Sequence, residues 1–255
     1  MQIEILGCSG GIGGAHRTTA VRVDDDILLD CGTGVGDLDE AALARIRHVF
    51  LSHPHMDHVA CLPLLVDTLF NQLKDSPLIV HAVPGCLDIL RSDIFNWRIW
   101  PDFLALPDPD RPVMRFEPME PGMRLEVDGR RIEMLPVRHT VPAAGFRIEQ
   151  GGAAFAYSGD CTTNDELWAA LNAHDRLDLL MVECAFGDDE EALARRSGHY
   201  CPGLLAADLE KLVHRPRIGV THFKPGEESR VLEELMARMP DRELHRLRSG
   251  DVFRL

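Results

Sequence analysis

The stretch Ser52-His-Pro-His-Met-Asp-His58 places four side chains of metal-ligand type within six positions. The predicted buried strand His48–Ser52, an apolar segment, runs directly into this cluster, and short loops at strand ends commonly carry functional sites. In an extended or turning segment His53 and His55 point the same way and can bind one ion, while Asp57 and His58, at the start of a helix, can reach a second. Imidazole and carboxylate together suit divalent transition metals, so we predict a metal site, with a polar turn as the alternative.

The rest of the chain predicts the layers around this stretch. Apolar residues at helical spacing predict a helix over Val59–Leu73, and Pro84–Phe95 predicts another. Strand-like segments crowd together between residues 113 and 158, and helices alternate with strands from Asp165 onward. This order predicts an α/β fold with two mixed β-sheets packed together and helices on the outer faces, in a single domain over 1–255.

A glycine-rich loop, Gly7–Gly14, follows the first predicted strand. It is superficially similar to a dinucleotide-binding motif, but that motif requires a helix after the loop, and the β-branched segment Thr18–Val23 predicts a strand. We therefore expect the glycines to let the backbone pass close to an active site.

The composition narrows the classes of partner. The chain has 255 residues and a formal net charge of −14, and such a surface repels phosphate polymers, so no extended nucleic-acid surface is expected. Its seven cysteines include no C-x-x-C pair, which predicts reduced, mostly buried thiols. No signal peptide and no apolar run of membrane-spanning length is seen, so we expect a soluble, cytoplasmic protein without a membrane partner.

The histidine cluster resembles the H-x-H-x-D-H signature of the metallo-β-lactamase superfamily, whose fold is an αββα sandwich. Four further motifs of that superfamily have similar counterparts in order along the chain. They are Asp30 before Cys31-Gly-Thr-Gly34, His139 in Pro136–Thr140, Asp160 in Tyr157–Asp160, and His222 in Val220–Phe223.

The resemblance implies a dinuclear site. One metal would be held by His53, His55 and His139, and the second by Asp57, His58 and His222, with Asp160 bridging both. Zinc is the expected metal, with iron or manganese as alternatives. A metal-bridging hydroxide would be the nucleophile, and Asp30 would orient a ligand or a loop.

Two more segments, Met181–Phe186 and Ser197–Pro202, resemble motifs of the phosphodiesterase branch, which includes class II cyclic-nucleotide phosphodiesterases and tRNA 3′-processing endonucleases. There a glutamate supports a histidine that contacts phosphate and protonates the leaving oxygen. The resemblance implies these roles for Glu183 and His199, which with Asp57 are the expected catalytic residues. The alternative is an ordinary structural pair, and Cys201 departs from the family's usual threonine.

The expected substrate is a cyclic nucleotide or another small phosphodiester. The acidic charge disfavours tRNA, and no long Gly/Pro-rich arm for gripping tRNA is seen. Residues 95–112 form an aromatic and proline-rich insertion that predicts a lid or a homodimer contact, with an ordinary packed loop as the alternative. Trp97, Trp100 or Phe103 could stack on a purine base, or pack in the core.

Two other functions on the same fold stay open. A lactonase or thioester hydrolase would use the same metal ligands but would not need His199. A di-iron redox or oxygen-sensing protein commonly has a glutamate within the histidine cluster, where this chain has His55. A binding module without metal is the third alternative.

Overall fold

Fourteen strands form two mixed seven-stranded sheets in the computed structural model, which describes residues 1–255. The strands are β1 (Gln2–Gly7), β2 (Ala20–Val23), β3 (Ile27–Leu29), β4 (His48–Phe50), β5 (Leu78–Ala82), β6 (Met114–Pro118), β7 (Arg124–Val127), β8 (Arg130–Pro136), β9 (Ala144–Gln150), β10 (Ala153–Tyr157), β11 (Leu179–Glu183), β12 (Arg217–Thr221), β13 (Leu244–Arg246) and β14 (Val252–Arg254). The first sheet has the order β14-β1-β2-β3-β4-β5-β6, and the second has the order β13-β12-β11-β10-β9-β8-β7.

Nine α-helices accompany the sheets. They are α1 (Glu40–Leu43), α2 (Met56–Val59), α3 (Leu62–Thr68), α4 (Phe70–Leu73), α5 (Pro84–Ile89), α6 (Asp165–Asn172), α7 (Glu191–Ser197), α8 (Pro202–Leu209) and α9 (Glu228–Arg238). The longest, α9, has 11 residues, and none of the helices is both long and apolar enough to cross a bilayer.

The layers follow from the two-residue period of the strands. Along β10, Phe155 and Tyr157 point into the apolar core between the sheets, whereas Ala156 points into a second core on the other face. Helices α6, α8 and α9 cover that second core with Trp168, Leu205 and other apolar residues. The predicted α/β fold, two mixed sheets with helices outside, is confirmed.

The single helix predicted over Val59–Leu73 is wrong. The short helix α2 ends at Val59, and two further short helices, α3 and α4, occupy the rest of the segment. Pro63 near the start of α3 cannot donate a backbone hydrogen bond to the preceding turn, and Leu69 leaves helical geometry with φ −94° and ψ 7°. The helix predicted over Pro84–Phe95 is present from Pro84 to Ile94, with α-helical geometry in α5 and π-helical geometry over Leu90–Ile94.

Residues 95–112 are partly packed and partly exposed. Phe103 is 1% exposed, and its ring centre lies 5.9 Å from that of Phe70, so stacking of Phe103 on a substrate base is excluded. Trp97 and Ile99 are 63% and 68% exposed on the same segment. The lid or dimer contact, and the assignment of the chain to one domain, remain predictions.

The parallel strands meet at one edge of the sandwich. Strands β3 and β4 run parallel in the first sheet, and β10, β11 and β12 run parallel in the second. Carboxyl ends of parallel strands share an edge, where open α/β sheets usually bind ligands. The loops after β3, β4, β10 and β12 and the end of β11 carry Asp30, the histidine cluster, Asp160, His222 and Glu183.

Candidate metal centre

Three histidines converge from two segments far apart in the sequence. His53 and His55 follow β4, and His139 follows β8. His53 Nε2 lies 3.1 Å from His55 Nδ1, and His139 Nε2 lies 3.3 Å from the same atom. The three nitrogens are close enough to share one ion.

A second group forms around Asp57 and His58 in the short helix α2. His222 Nε2 lies 3.1 Å from Asp57 Oδ2, and His58 Nε2 lies 3.6 Å from that oxygen. Asp160 joins these residues, so four ligand atoms could surround a second ion.

Asp160 lies between the two groups and is almost fully buried. Its Oδ2 is 3.6 Å from His53 Nε2 in the first group, and 3.3 Å and 3.0 Å from the Nε2 atoms of His58 and His222 in the second. One carboxylate therefore faces both sets of nitrogens, which is the arrangement that two neighbouring cations require to offset their repulsion.

Hydrogen bonds on the far side of the rings fix which nitrogen faces the site. Ser52 Oγ donates to Asp30 Oδ2, so it accepts from His53 Nδ1 at 2.9 Å. The carbonyl of Gly198 accepts from His139 Nδ1 at 2.9 Å. Both Nε2 lone pairs then face His55 Nδ1, and a shared cation would remove their mutual repulsion.

His58 supplies the clearest test of whether a metal fits. Its Nδ1 donates to Asp30 Oδ2 at 2.7 Å, and its buried Nε2 makes no well-aligned hydrogen bond, although Asp160 Oδ2 lies 3.3 Å away. A buried, unpaired ring nitrogen beside two carboxylates is costly unless a proton or a cation occupies it. The donor set of histidine nitrogens and carboxylate oxygens therefore suits two divalent metal ions.

The electrostatics differ between the two groups. Burial lowers the pKa of His53 well below its usual range, and it also lowers the pKa values of His55 and His139. These imidazoles are therefore neutral, which is the form that binds metals.

In the second group the carboxylates dominate. Burial alone would lower the pKa of His222, but Asp160 outweighs burial and raises it to about 9. The pKa of His58 is raised well above its usual range in the same way, by Asp160 and Asp30 against the effect of burial. Without a cation, protons on these two rings balance the carboxylates, and a bound metal would replace them.

Gly10 confirms the expectation that the glycine loop passes close to the site. A Cβ atom at Gly10 would lie 2.6 Å from the carbonyl oxygen of His222 and 2.9 Å from its Nδ1. Only a residue without a side chain lets the loop cross behind the His222 ring.

Glu183 and His199 form a pair at the rim of the centre. His199 Nδ1 donates to Glu183 Oε1 at 2.8 Å, and the fully buried carboxylate also accepts from the backbone N–H groups of Cys161, Ala185 and Tyr200. The His199 ring centre lies 5.1 Å from those of His139 and His222. Glu183 therefore fixes the ring with Nε2 as its free nitrogen beside both predicted metal positions.

Sequence reasoning missed several residues around the centre. Ser52 orients His53, and the Tyr157 hydroxyl donates to Asp30 Oδ2 at 2.6 Å. Their adjacency to His53 and to the Ser158-Gly159-Asp160 turn was the available signal. Five of the six remaining histidines have other polar partners: His48 contacts His81, and His174, His245 and His16 contact Glu133, Asp251 and Glu228.

Comparison with known proteins gives a family and named relatives. A domain described as a beta-lactamase superfamily domain matches residues 25–239. A probable 3′,5′-cyclic-nucleotide phosphodiesterase of Yersinia pestis is 26% identical over 275 residues, with 88% of this chain and 78% of that protein covered. A ribonuclease Z of Halorubrum lacusprofundi is 29% identical over 157 residues, with 59% of this chain and 48% of that protein covered.

A solved structure extends the likeness to the whole architecture. Unliganded yeast PDE1 superposes with a TM-score of 0.80 at 18% sequence identity, and the match covers 95% of each chain. At this identity the superposition shows that the two proteins share a fold.

Proposed function

The chain belongs to the beta-lactamase superfamily, and from this premise we propose that it is a dinuclear metal-dependent phosphodiesterase. Its substrate would be a cyclic nucleotide or another small phosphodiester. The observation that carries the proposal is the Glu183–His199 pair, held beside two ligand groups that share Asp160.

The chain's own residues would hold the metals. His53, His55 and His139 would bind one ion and Asp57, His58 and His222 the other, with Asp160 between them. Zinc suits this set of nitrogen and oxygen ligands, and iron or manganese are the alternatives. When bound, two such cations acidify a water molecule and stabilise negative charge on a phosphoryl oxygen.

The protein groups would then position the reactants and move protons. Asp57 has a side chain that is 33% exposed, so one of its oxygens can orient the attacking water. His199 would donate the Nε2 proton to the leaving oxygen, because Glu183 holds Nδ1 and stabilises the protonated ring. The backbone N–H groups that donate to Glu183 hold its carboxylate in place as the acceptor for His199 Nδ1.

A tRNA-processing nuclease is the second candidate. The match to a protein named ribonuclease Z favours it. The net charge of −14 favours a small substrate, since a polymer with many phosphates meets repulsion over most of the surface.

The first experiment joins metal content to substrate choice. The protein is purified without chelator, its metals are measured by elemental analysis, and the same sample is assayed on bis(p-nitrophenyl) phosphate, cyclic AMP and a tRNA precursor. We expect two metals per chain and turnover of the small diesters. Faster cleavage of the tRNA precursor would favour the second candidate. A metal-loaded protein that cleaves none of the three would overturn both.

The variant His199→Ala tests the role of the Glu183–His199 pair. We expect kcat on cyclic AMP to fall by about 10²- to 10⁴-fold, because its alkoxide leaving group needs a proton. The loss on bis(p-nitrophenyl) phosphate should be much smaller, because p-nitrophenolate is a good leaving group. The control is His245→Ala, at a histidine 55% exposed and away from the site. Full activity of His199→Ala on cyclic AMP, with metals retained, would contradict the proposed role of the Glu183–His199 pair as proton donor.

A further inference from the structure

Lys224 lies at the rim of the metal centre, two residues after His222 in Thr221-His-Phe-Lys-Pro225. Its Nζ donates only a long contact of 3.5 Å to the carbonyl of Gly10. The glycine loop packs against this segment, since a Cβ atom at Gly11 would lie 3.0 Å from the ring of Pro225. The base of the side chain is therefore fixed beside His222.

Lys224 is a cation without an anionic partner. The chain has three lysines. Lys211 forms ion pairs with Asp165 at 2.6 Å and Asp208 at 2.7 Å, whereas Lys224 forms none. In a protein with 41 acidic and 27 basic residues, a half-buried ammonium group left unpaired at a site edge is available to an incoming anion.

The position of Lys224 relative to the Glu183–His199 pair determines which anion its ammonium group can bind. Its Nζ lies 5.5 Å from the ring centre of Phe186. The His199 ring centre lies 5.7 Å from the same phenyl ring, edge to face. The ammonium group and the proposed proton donor thus lie beside the same aromatic ring. Gly10, which the ammonium group contacts, packs against the Nδ1 side of the His222 ring, whereas Nε2 of that ring faces Asp160.

We propose that Lys224 binds a second phosphate of the substrate, beyond the phosphodiester that is cleaved. This inference rests on the proposed function. It narrows the substrate to small phosphodiesters whose nucleoside carries a further phosphate. A substrate with one phosphate would leave Lys224 unpaired. Phe186 would separate the two anionic positions and offer an apolar face to the group between them.

Binding of two nucleotides that differ by one phosphate tests the proposal without turnover. The probes are thymidine 5′-monophosphate and thymidine 3′,5′-bisphosphate, titrated by calorimetry into the protein as purified. We expect the bisphosphate to bind about tenfold more tightly, which corresponds to one hydrogen-bonded charge pair. Lys224→Met should remove that advantage, and Lys224→Arg should keep it.

The matched control is Lys74→Met. The Lys74 ammonium also lies over a phenyl ring, 5.1 Å from the centre of Phe70, but on the surface directly after helix α4. This variant should bind both probes like the unchanged protein. A bisphosphate preference that survives in Lys224→Met, or no preference in the unchanged protein, would overturn the inference. Failure of the proposed function is a separate result, in which the preference is present but the metal-loaded protein hydrolyses no phosphodiester.

Discussion

Asp30 accepts hydrogen bonds from four donors in the interior, although it touches no predicted metal position. The donors are the backbone N–H and hydroxyl of Ser52, His58 Nδ1 and the Tyr157 hydroxyl, at 2.6 to 2.7 Å. Its backbone has φ +58°, a left-handed conformation that a non-glycine residue adopts at a cost. The surrounding bonds hold it there, so one carboxylate aligns two predicted ligands at once, His58 directly and His53 through Ser52.

Asp30→Asn should weaken metal binding by about 10- to 100-fold, because an amide cannot accept from all four donors and would release the His58 ring. Metal affinity is measured by competition with a chromophoric chelator. Tyr157→Phe is the comparison, since it removes a single donor and should cost much less affinity. Equal metal affinity in Asp30→Asn and the unchanged protein would contradict the positioning role.

At the scale of elements, an ion pair links the two sheets. Arg130 opens β8 in the second sheet and is 3% exposed, and its guanidinium donates to both oxygens of Asp26, in the β2–β3 turn of the first sheet, at 2.5 Å and 2.6 Å. Burial alone would raise the pKa of Asp26, but the bonds from Arg130 outweigh it and lower that pKa below 3.8. Because the pKa of Asp26 is lower in the folded protein than in the unfolded chain, the ion pair stabilises the folded state at pH values above the unfolded-state pKa.

Asp26→Asn should lower the free energy of unfolding at pH 7 by about 2 kcal/mol, a value reduced from a fully buried pair because Asp26 is partly exposed. The difference from the unchanged protein should be complete above pH 3.8 and disappear as the pH falls through the native pKa of Asp26. Urea unfolding at several pH values measures it. Asp25→Asn is the control, at a side chain 65% exposed. If the difference in unfolding free energy grew as the pH fell, the predicted direction of the pH dependence would be wrong.

The insertion over 95–112 divides into a buried and an exposed part, and the two should respond differently to truncation. Phe103→Ala should cost about 3 to 5 kcal/mol of stability, because it empties a core position between Phe70 and Phe95. Trp97→Ala should change stability by less than about 0.5 kcal/mol, because most of that side chain is in solvent. Thermal unfolding separates the two. If Trp97 belongs to a lid or a dimer contact, its variant should instead change activity or the sedimentation coefficient.

At the scale of the whole molecule, the predicted metal ligands join both sheets. The first sheet supplies the histidine cluster after β4, and the second supplies His139, Asp160 and His222 after β8, β10 and β12. Ions bound here would tie the two layers together at their shared edge. A ligand that binds only the folded state stabilises it in proportion to its occupancy.

Removing the metals with a chelator should therefore lower the melting temperature by about 5 °C or more, for metals present at 100 times their dissociation constants. Readdition should restore it. His139→Ala should melt at a temperature that responds less to chelator, since it loses a ligand of one ion. A melting temperature that chelator leaves unchanged in a protein shown to hold metal would contradict a link between the sheets.

The fold class and the set of predicted ligands can be inferred from the amino-acid sequence alone. Period-two strands and helical spacing are local properties, so two sheets with outer helices were readable and are confirmed. Four metal-ligand side chains within six positions, His53 to His58, predicted metal binding. The family resemblance supplied the distant predicted ligands, His139, Asp160 and His222. The structure brings these residues together, and their roles as ligands stay a prediction.

Tertiary structure decided what depends on contacts between distant segments. The hydrogen bonds of Asp30, the burial of Phe103 and the unpaired state of Lys224 follow from how strands, loops and helices meet. Proline and a non-helical Leu69 likewise divided an apolar periodicity that continued through Val59–Leu73. The physical reason is that periodicity records which face of an element is apolar, whereas sheet register and loop packing decide which polar atoms share the space at a strand's end.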